Sequence, residues 1–254
     1  VECTKGSRYF LKLHGTTVQP PFAASSFDFY LPLTYQLHIQ RILPHIPHPI
    51  PTLNMQLSIH VGKLLLVLSN FIEGTIVGHN ALTDNTLARL ANMLGTLHRR
   101  TPEVNLPYPL TEHFDIVFED TLVTTTSKLD RILSSKRHGL RLLRDTLLLR
   151  REEILRYLQR LKKLQRAVRE TQKPMVICHP DLHGENLMVD DQGHLYILDW
   201  ENAMIAPPEH DLFFFAGYES FWWTFLPNYT REFYGITLDP DFLGFYYYRQ
   251  VWKT

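Results

Sequence analysis

Residues Arg8 to Leu13 (RYFLKL) alternate aromatic or aliphatic with polar positions, the period-two pattern of a strand that carries Lys12 on one face. From Leu33 to Leu43 the spacing is loosely helical, and Pro44, Pro47, Pro49 and Pro51 then impose an extended connection. Met55 to His60 and Lys63 to Ser69 read as a hairpin turning at Val61-Gly62. Its second strand is apolar enough to be buried and leads into Asn70-Phe71-Ile72-Glu73-Gly74. Leu87, Leu90, Leu94 and Leu97 recur at helical spacing behind Thr83 or Asp84 as N-cap, and His98-Arg99-Arg100 complement the dipole in the last turn. From Leu140 to Val168 leucines again fall three or four apart, with Arg and Lys between them. This pattern predicts a bundle helix with a solvated basic face on which Glu152 and Arg156 can pair.

The densest information lies between Met175 and Trp200. An apolar run from Met175 to Cys178 breaks into a polar loop, His179 to Asn186. Leu187 and Val189 then face Leu195 and Ile197 across the turn Asp191-Gln192-Gly193, a second hairpin. This arrangement leaves Asp181, Asn186 and Asp199 at strand ends. Two carboxylates and an amide beside a buried strand pair require compensation, since an unpaired buried charge costs about several kcal/mol, and a magnesium ion would supply it. Further on, Glu201 to Pro208 reads as a loop. Glu209-His210-Asp211 opens an apolar run, Leu212 to Phe215, with Asp211 as an acid suited to a helix start. The aromatic group Phe221, Trp222, Trp223, Phe225 and Tyr229 reads chiefly as core.

Composition narrows the class without naming it. With 254 residues, 44% hydrophobic and 20% charged, the chain buries a sizeable globular core. No apolar run reaches the roughly 20 residues of a membrane helix, and the first residues do not form a secretory signal. Two cysteines, Cys3 and Cys178, are too few for a disulfide framework, which favours a reducing cytoplasm, with Cys178 a packed thiol. Net charge is zero but unevenly spread. Residues 136–173 hold 13 Lys and Arg against 4 Asp and Glu, which leaves 13 against 22 elsewhere. No global nucleic-acid partner is indicated, and a cationic substrate near the acidic portion is compatible.

The spacing His179-x-Asp181-x-x-x-x-Asn186, followed by an apolar strand and Asp199, resembles the catalytic loop and metal-binding strand of protein-kinase-like phosphotransferases. It is most similar to the aminoglycoside phosphotransferase family, which reads H-x-D-x-x-x-x-N and then I-D-W/F-[DE]. CHPDLHGENLMV, YILDWENAMIAP and EHDLFF resemble the spectinomycin phosphotransferases of that family. The resemblance implies an α+β, bilobal kinase-like fold. Residues 1–74 would form a small partial N-terminal sheet lobe and hinge, and 75–254 a larger, mostly helical catalytic lobe. It further implies an ATP- and Mg²⁺-dependent transfer to a small-molecule hydroxyl, by a cytoplasmic, monomeric enzyme with no membrane partner.

The residues follow from the same resemblance. Asp181 orients and deprotonates the acceptor hydroxyl, while Asn186 and Asp199 hold the metal. Lys12 pairs with the nucleotide phosphates, and the backbone of Asn70, Phe71 and Ile72 reads the adenine edge. His179 and Asp211 brace the catalytic loop. Glu201 and Glu209 are candidate contacts for an acceptor ammonium, and His183 has no assigned role.

Two departures shape the alternatives. No Asp or Glu occurs between Asp28 and Glu73, so Lys12 lacks its usual acidic partner on the first helix, where Gln36 or Gln40 offers at most a neutral contact. Only eleven residues precede Lys12, and no glycine-rich loop is visible. Arg249 to Trp252 ends within a helical run, so the chain is expected to be a fragment trimmed at both ends. These departures admit a catalytically impaired nucleotide-binding module. A small-alcohol kinase acting on choline, homoserine or sugars shares the loop. A metallohydrolase built on His179, Asp181, His183 and Asp199 is a more distant reading.

Overall fold

A computed structural model of the protein describes residues 1–2, 6–15, 21–78, 82–106, 109–129 and 138–251; Cys3 and Trp252 lie outside them. The chain forms two compact units, one of residues 1–112 and 174–237, the other of 113–173 and 238–254. Its mixed α+β make-up agrees with the sequence reading.

In the first unit β1 (Tyr9–Gly15), β3 (Leu64–Asn70) and β2 (Ile59–Val61) form an antiparallel sheet ordered β1-β3-β2, with Lys12 opposite Val67. The strand read from Met55 shortens to β2, because Thr52 to Gln56 close a turn in which Met55 takes φ 60°. Helix α1 runs Pro21–Ile39, beginning well before the expected Leu33 and containing Pro32. Phe27, Phe29, Tyr30, Leu31, Leu33 and Leu37 form a wide buried face, while the apolar Pro32 and Ile39 fall outside it, so no narrow apolar stripe betrays the helix.

Strand β4 (Gly74–Ile76) joins β6 (Leu187–Asp190) and β7 (Leu195–Ile197) in a second sheet, and β5 (Val176–Cys178) pairs with β8 (Met204–Ala206). The expected hairpin is β6–β7, in register Leu187 to Ile197 and Val189 to Leu195, its turn closed by Gly193 at φ +82°. Helix α2 (Asp84–Arg100) is capped by Thr83, which accepts from Thr86 N–H at 3.2 Å. Its buried Leu87, Leu90, Leu94 and Leu97 pack towards the short helix α7 (Leu226–Glu232) and β5.

The second unit holds α3 (Glu119–Lys128), α4 (His138–Leu149), α5 (Arg151–Glu170) and α8 (Pro240–Val251). The single helix read from Leu140 to Val168 is thus two helices. At Arg150 the backbone leaves helical geometry, and Glu152 and Glu153 favour a fresh N-terminus at Arg151. Only α5 buries a stripe (Ile154, Leu158, Leu161, Leu164, Val168), packed on α8, while α4 buries none. No Glu152–Arg156 pair forms among the described residues; Lys162 instead pairs with Glu119 and Arg169 with Asp115. No helix among the described residues is long and apolar enough to cross a membrane.

Candidate active site

All the elements of the site belong to the first unit. The four-residue helix α6 (Glu209–Leu212) brings the fully buried Asp211 behind the loop that follows β5. The His179 backbone N–H donates to Asp211 Oδ1 at 2.8 Å. Its Nε2 donates to the Leu198 carbonyl at 2.6 Å, and its ring meets Trp200 edge-on at 4.8 Å. A carbonyl only accepts, so the proton sits on Nε2. Burial pushes the His179 pKa down, with nearby Asp211 opposing, and the ring is neutral.

The other Asp211 oxygen accepts from His98 Nε2 at 3.0 Å, and His98 Nδ1 accepts from the Tyr229 hydroxyl at 2.8 Å. The sequence reading gave His98 only a dipole role. Its position four residues after Leu94 and eight after Leu90 already placed it on the buried stripe of α2. Burial raises the Cys178 thiol well above its ordinary range, and it donates weakly to the Ala206 and Pro207 carbonyls, a packed thiol as expected.

In front of this brace Asn186 Nδ2 donates to the Asp181 carbonyl at 2.9 Å and to Asp181 Oδ2 at 3.3 Å. With its nitrogen committed to Asp181, Asn186 keeps its Oδ1 as an acceptor. The Leu198 N–H donates to the Asn186 carbonyl at 2.8 Å, which fixes the next residue, Asp199, beside the loop. Asp199 has left-handed backbone geometry (φ 60°, ψ 62°), a region sparsely used by non-glycine residues and one in which functional sites store strain. Trp200, buried and bonded through Nε1 to the Ile197 carbonyl at 2.8 Å, locks the turn Trp200–Asn202. His183 Nε2 lies 3.3 Å from Asn186 Nδ2 and 3.6 Å from Asp181 Oδ1, so the histidine left unassigned sits beside the expected base.

Asp199 and Glu201 face a cavity of about 610 Å³ whose other walls include Lys12, Tyr30, Thr34, Val67, Met188 and the segment Asn70 to Gly74. Lys12 forms an ion pair with Glu201. Burial lowers its pKa and the Asp199 carboxylate opposes the shift, while burial and the same carboxylate push the Tyr30 hydroxyl well up. Asn70 braces the proline-rich segment, its Oδ1 accepting from His48 N–H at 2.8 Å. Phe71 lies under the Arg8 guanidinium, 4.6 Å from its ring centre. The backbone N–H groups of Phe71 and Ile72 bond to no other backbone among the described residues.

Several expectations change. Gln36 donates to the Asn105 carbonyl at 2.6 Å and Gln40 to Gln36, so neither contacts Lys12. Glu201, read as an acceptor contact, stands with Lys12 instead. Glu209 is fully buried in α6 and does not line the cavity. His179, Asp181, His183 and Asp199, the ligand set of the hydrolase reading, do not come together as a metal-spaced cluster among the described residues.

A strand lysine and an aspartate on one cavity, with an H-x-D loop and its asparagine hydrogen-bonded to the segment that carries that aspartate, are the parts of a kinase-like phosphotransferase with an alcohol acceptor. The family model described as the phosphotransferase enzyme family matches residues 1–246, and the chain belongs to that family. Three solved structures are similar in fold. A spectinomycin phosphotransferase in complex with ADP and spectinomycin is 20% identical, with 97% of this chain and 73% of that one covered and a TM-score of 0.72. A choline kinase from Streptococcus pneumoniae is 16% identical (98% and 76% covered, TM-score 0.59). A macrolide 2′-phosphotransferase from Brachybacterium faecium is 13% identical (97% and 76% covered, TM-score 0.57).

Proposed function

We propose that the protein is an ATP- and Mg²⁺-dependent O-phosphotransferase whose acceptor is a hydroxylated, amine-bearing small molecule, an aminoglycoside or aminocyclitol such as spectinomycin. The observation that carries this reading is the contact of Asp181 with Asn186 next to Asp199, with Asp199 and Lys12 on one cavity. The Asn186 Oδ1 and the Asp199 carboxylate are hard oxygen donors of the kind Mg²⁺ prefers, and they would hold it. Held there, it would supply charge neutralisation at the terminal phosphates.

The chain's own groups do the rest. Lys12 meets the α- and β-phosphates, and the free backbone groups of Phe71 and Ile72 suit an adenine edge. Asp181 accepts a hydrogen bond from the acceptor hydroxyl and aims its oxygen at the γ-phosphorus. As that O–P bond forms and the bond to the bridging oxygen breaks, the hydroxyl proton passes to Asp181 and ADP leaves. The acidic excess outside residues 136–173 favours a cationic acceptor. The same reading makes it a cytoplasmic monomer whose partner is the small-molecule acceptor.

ADP release with Mg²⁺-ATP over a panel of spectinomycin, other aminoglycosides, choline, homoserine and sugars tests the acceptor. Turnover is expected with an amine-bearing acceptor and is expected to fall about a thousandfold in Asp181→Asn with nucleotide binding intact. Wild-type rates in that variant would remove Asp181 from its role. Stoichiometric ATP binding with no phosphorylated acceptor would favour a nucleotide-binding module.

A further inference from the structure

Kinase-like chemistry needs a carboxylate to hold the phosphate-binding lysine in place, and in this chain the first helix cannot supply one. The part of α1 that reaches the cavity offers Tyr30, Leu31 and Thr34. The Thr34 hydroxyl is committed to the Tyr30 and Leu31 carbonyls, and Asp28, the helix's one acid, is exposed and does not line the cavity. α1 packs against the turn Trp200–Asn202, and from that turn comes Glu201, whose Oε1 meets Lys12 Nζ. Both side chains are partly shielded, with 37% of Lys12 and 29% of Glu201 exposed, and both line the cavity with Asp199. The buried Trp200 and the left-handed Asp199 set the direction of Glu201, so its placement is built into the fold.

We propose that Glu201 is the positioning residue for Lys12, replacing the missing helix carboxylate from the same turn that carries the metal-binding Asp199, and that it is not an acceptor contact. The inference rests on the phosphotransferase reading of the cavity and names a residue that reading leaves without a part. One consequence is that a single short turn governs both the lysine and the metal ligand. Another is that the acceptor ammonium must find its carboxylate elsewhere.

Two measurements on the full chain test the pairing. In the first, KM for ATP and for the acceptor is followed in Lys12→Met, Glu201→Gln and the double variant. Glu201→Gln is expected to raise KM for ATP about tenfold and leave KM for the acceptor unchanged, with the double variant no worse than Lys12→Met alone. Glu201→Asp is expected to recover most of the loss. Additive effects in the cycle, or a rise confined to the acceptor KM, would overturn the proposal. The second needs no activity and so separates this inference from the proposed function. Among the described residues Asp199, Glu201 and His14 are the groups tied to Lys12, and Tyr30 of α1 and Glu73 are the other titratable groups on the same cavity. With burial lowering the lysine pKa, loss of the Glu201 charge leaves more neutral amine. Labelling of Lys12 by an amine-reactive reagent, read by mass spectrometry, is then expected to speed up about severalfold in Glu201→Gln. Equal labelling in wild type and variant, with both folded by circular dichroism, would overturn the pairing even if no acceptor is ever found.

Discussion

At the residue scale the site is decided by which polar atoms are already spent. His179 gives its N–H and Nε2 to Asp211 and Leu198, which fixes the start of the loop. Burial has lowered its pKa, and that of His48 near the cavity, below the ordinary histidine value. A depressed histidine adds stability that is complete above the unfolded pKa of about 6.5 and is lost as pH falls towards the folded value, because the unfolded chain binds the extra proton. The melting temperature is therefore expected to drop between pH 7.5 and 5, and His179→Asn to flatten that slope; equal slopes in the two proteins would contradict it. His98→Ala removes a buried donor from Asp211 and leaves the Tyr229 hydroxyl without its acceptor. A loss of about 3 kcal/mol in urea unfolding is expected, on the scale of leaving two buried polar groups without their partner.

At the element scale, close packing overrides local preference. Gly95 sits inside α2, where alanine is ordinarily better by about 1 kcal/mol. A Cβ there would stand 2.6 Å from Glu232 Cβ and 2.8 Å from the Tyr229 carbonyl, so α7 would have to retreat. Gly95→Ala is thus expected to destabilise by about 1–3 kcal/mol despite the helix gain. Because Tyr229 moves with α7, kcat is expected to fall as well, measurable once the acceptor is known. Thr83→Ala, which removes only the cap, is expected to cost about 1 kcal/mol and spare activity. Among the elements read correctly from sequence, α2 and the β6–β7 hairpin with its glycine turn each have one buried face, and β1 shows the alternation of a strand without one. Those misread lacked so clear a pattern or were interrupted. α1 has a wide buried face, apolar residues outside it and an internal proline, and the basic stretch divides at Arg150, where charge at a new helix start wins over a continuing leucine pattern.

At the scale of the whole molecule, a nucleotide that fills the 610 Å³ cavity bridges β1, the Asn70–Gly74 segment and the Asp199 turn, and so stabilises the folded chain by mass action. At a concentration about a hundred times its Kd the gain is about 2.7 kcal/mol, visible as a higher melting temperature. Lys12→Met is expected to remove most of that increment while melting normally without ligand, and chelation of Mg²⁺ to abolish transfer. A nucleotide shift undiminished in Lys12→Met would place the phosphates elsewhere. The chain order alone determined the catalytic loop, since His179, Asp181 and Asn186 lie within eight residues and a loop that short keeps them together whatever surrounds it. It also determined the hairpin that delivers Asp199 to them. Only the tertiary structure decided that Glu201 faces Lys12, 189 positions away, and that His98 and Tyr229 steady Asp211. Those pairings join distant segments through packing of α1 on the Asp199 turn and α2 on α7, and periodicity along a chain carries no record of which buried faces will meet.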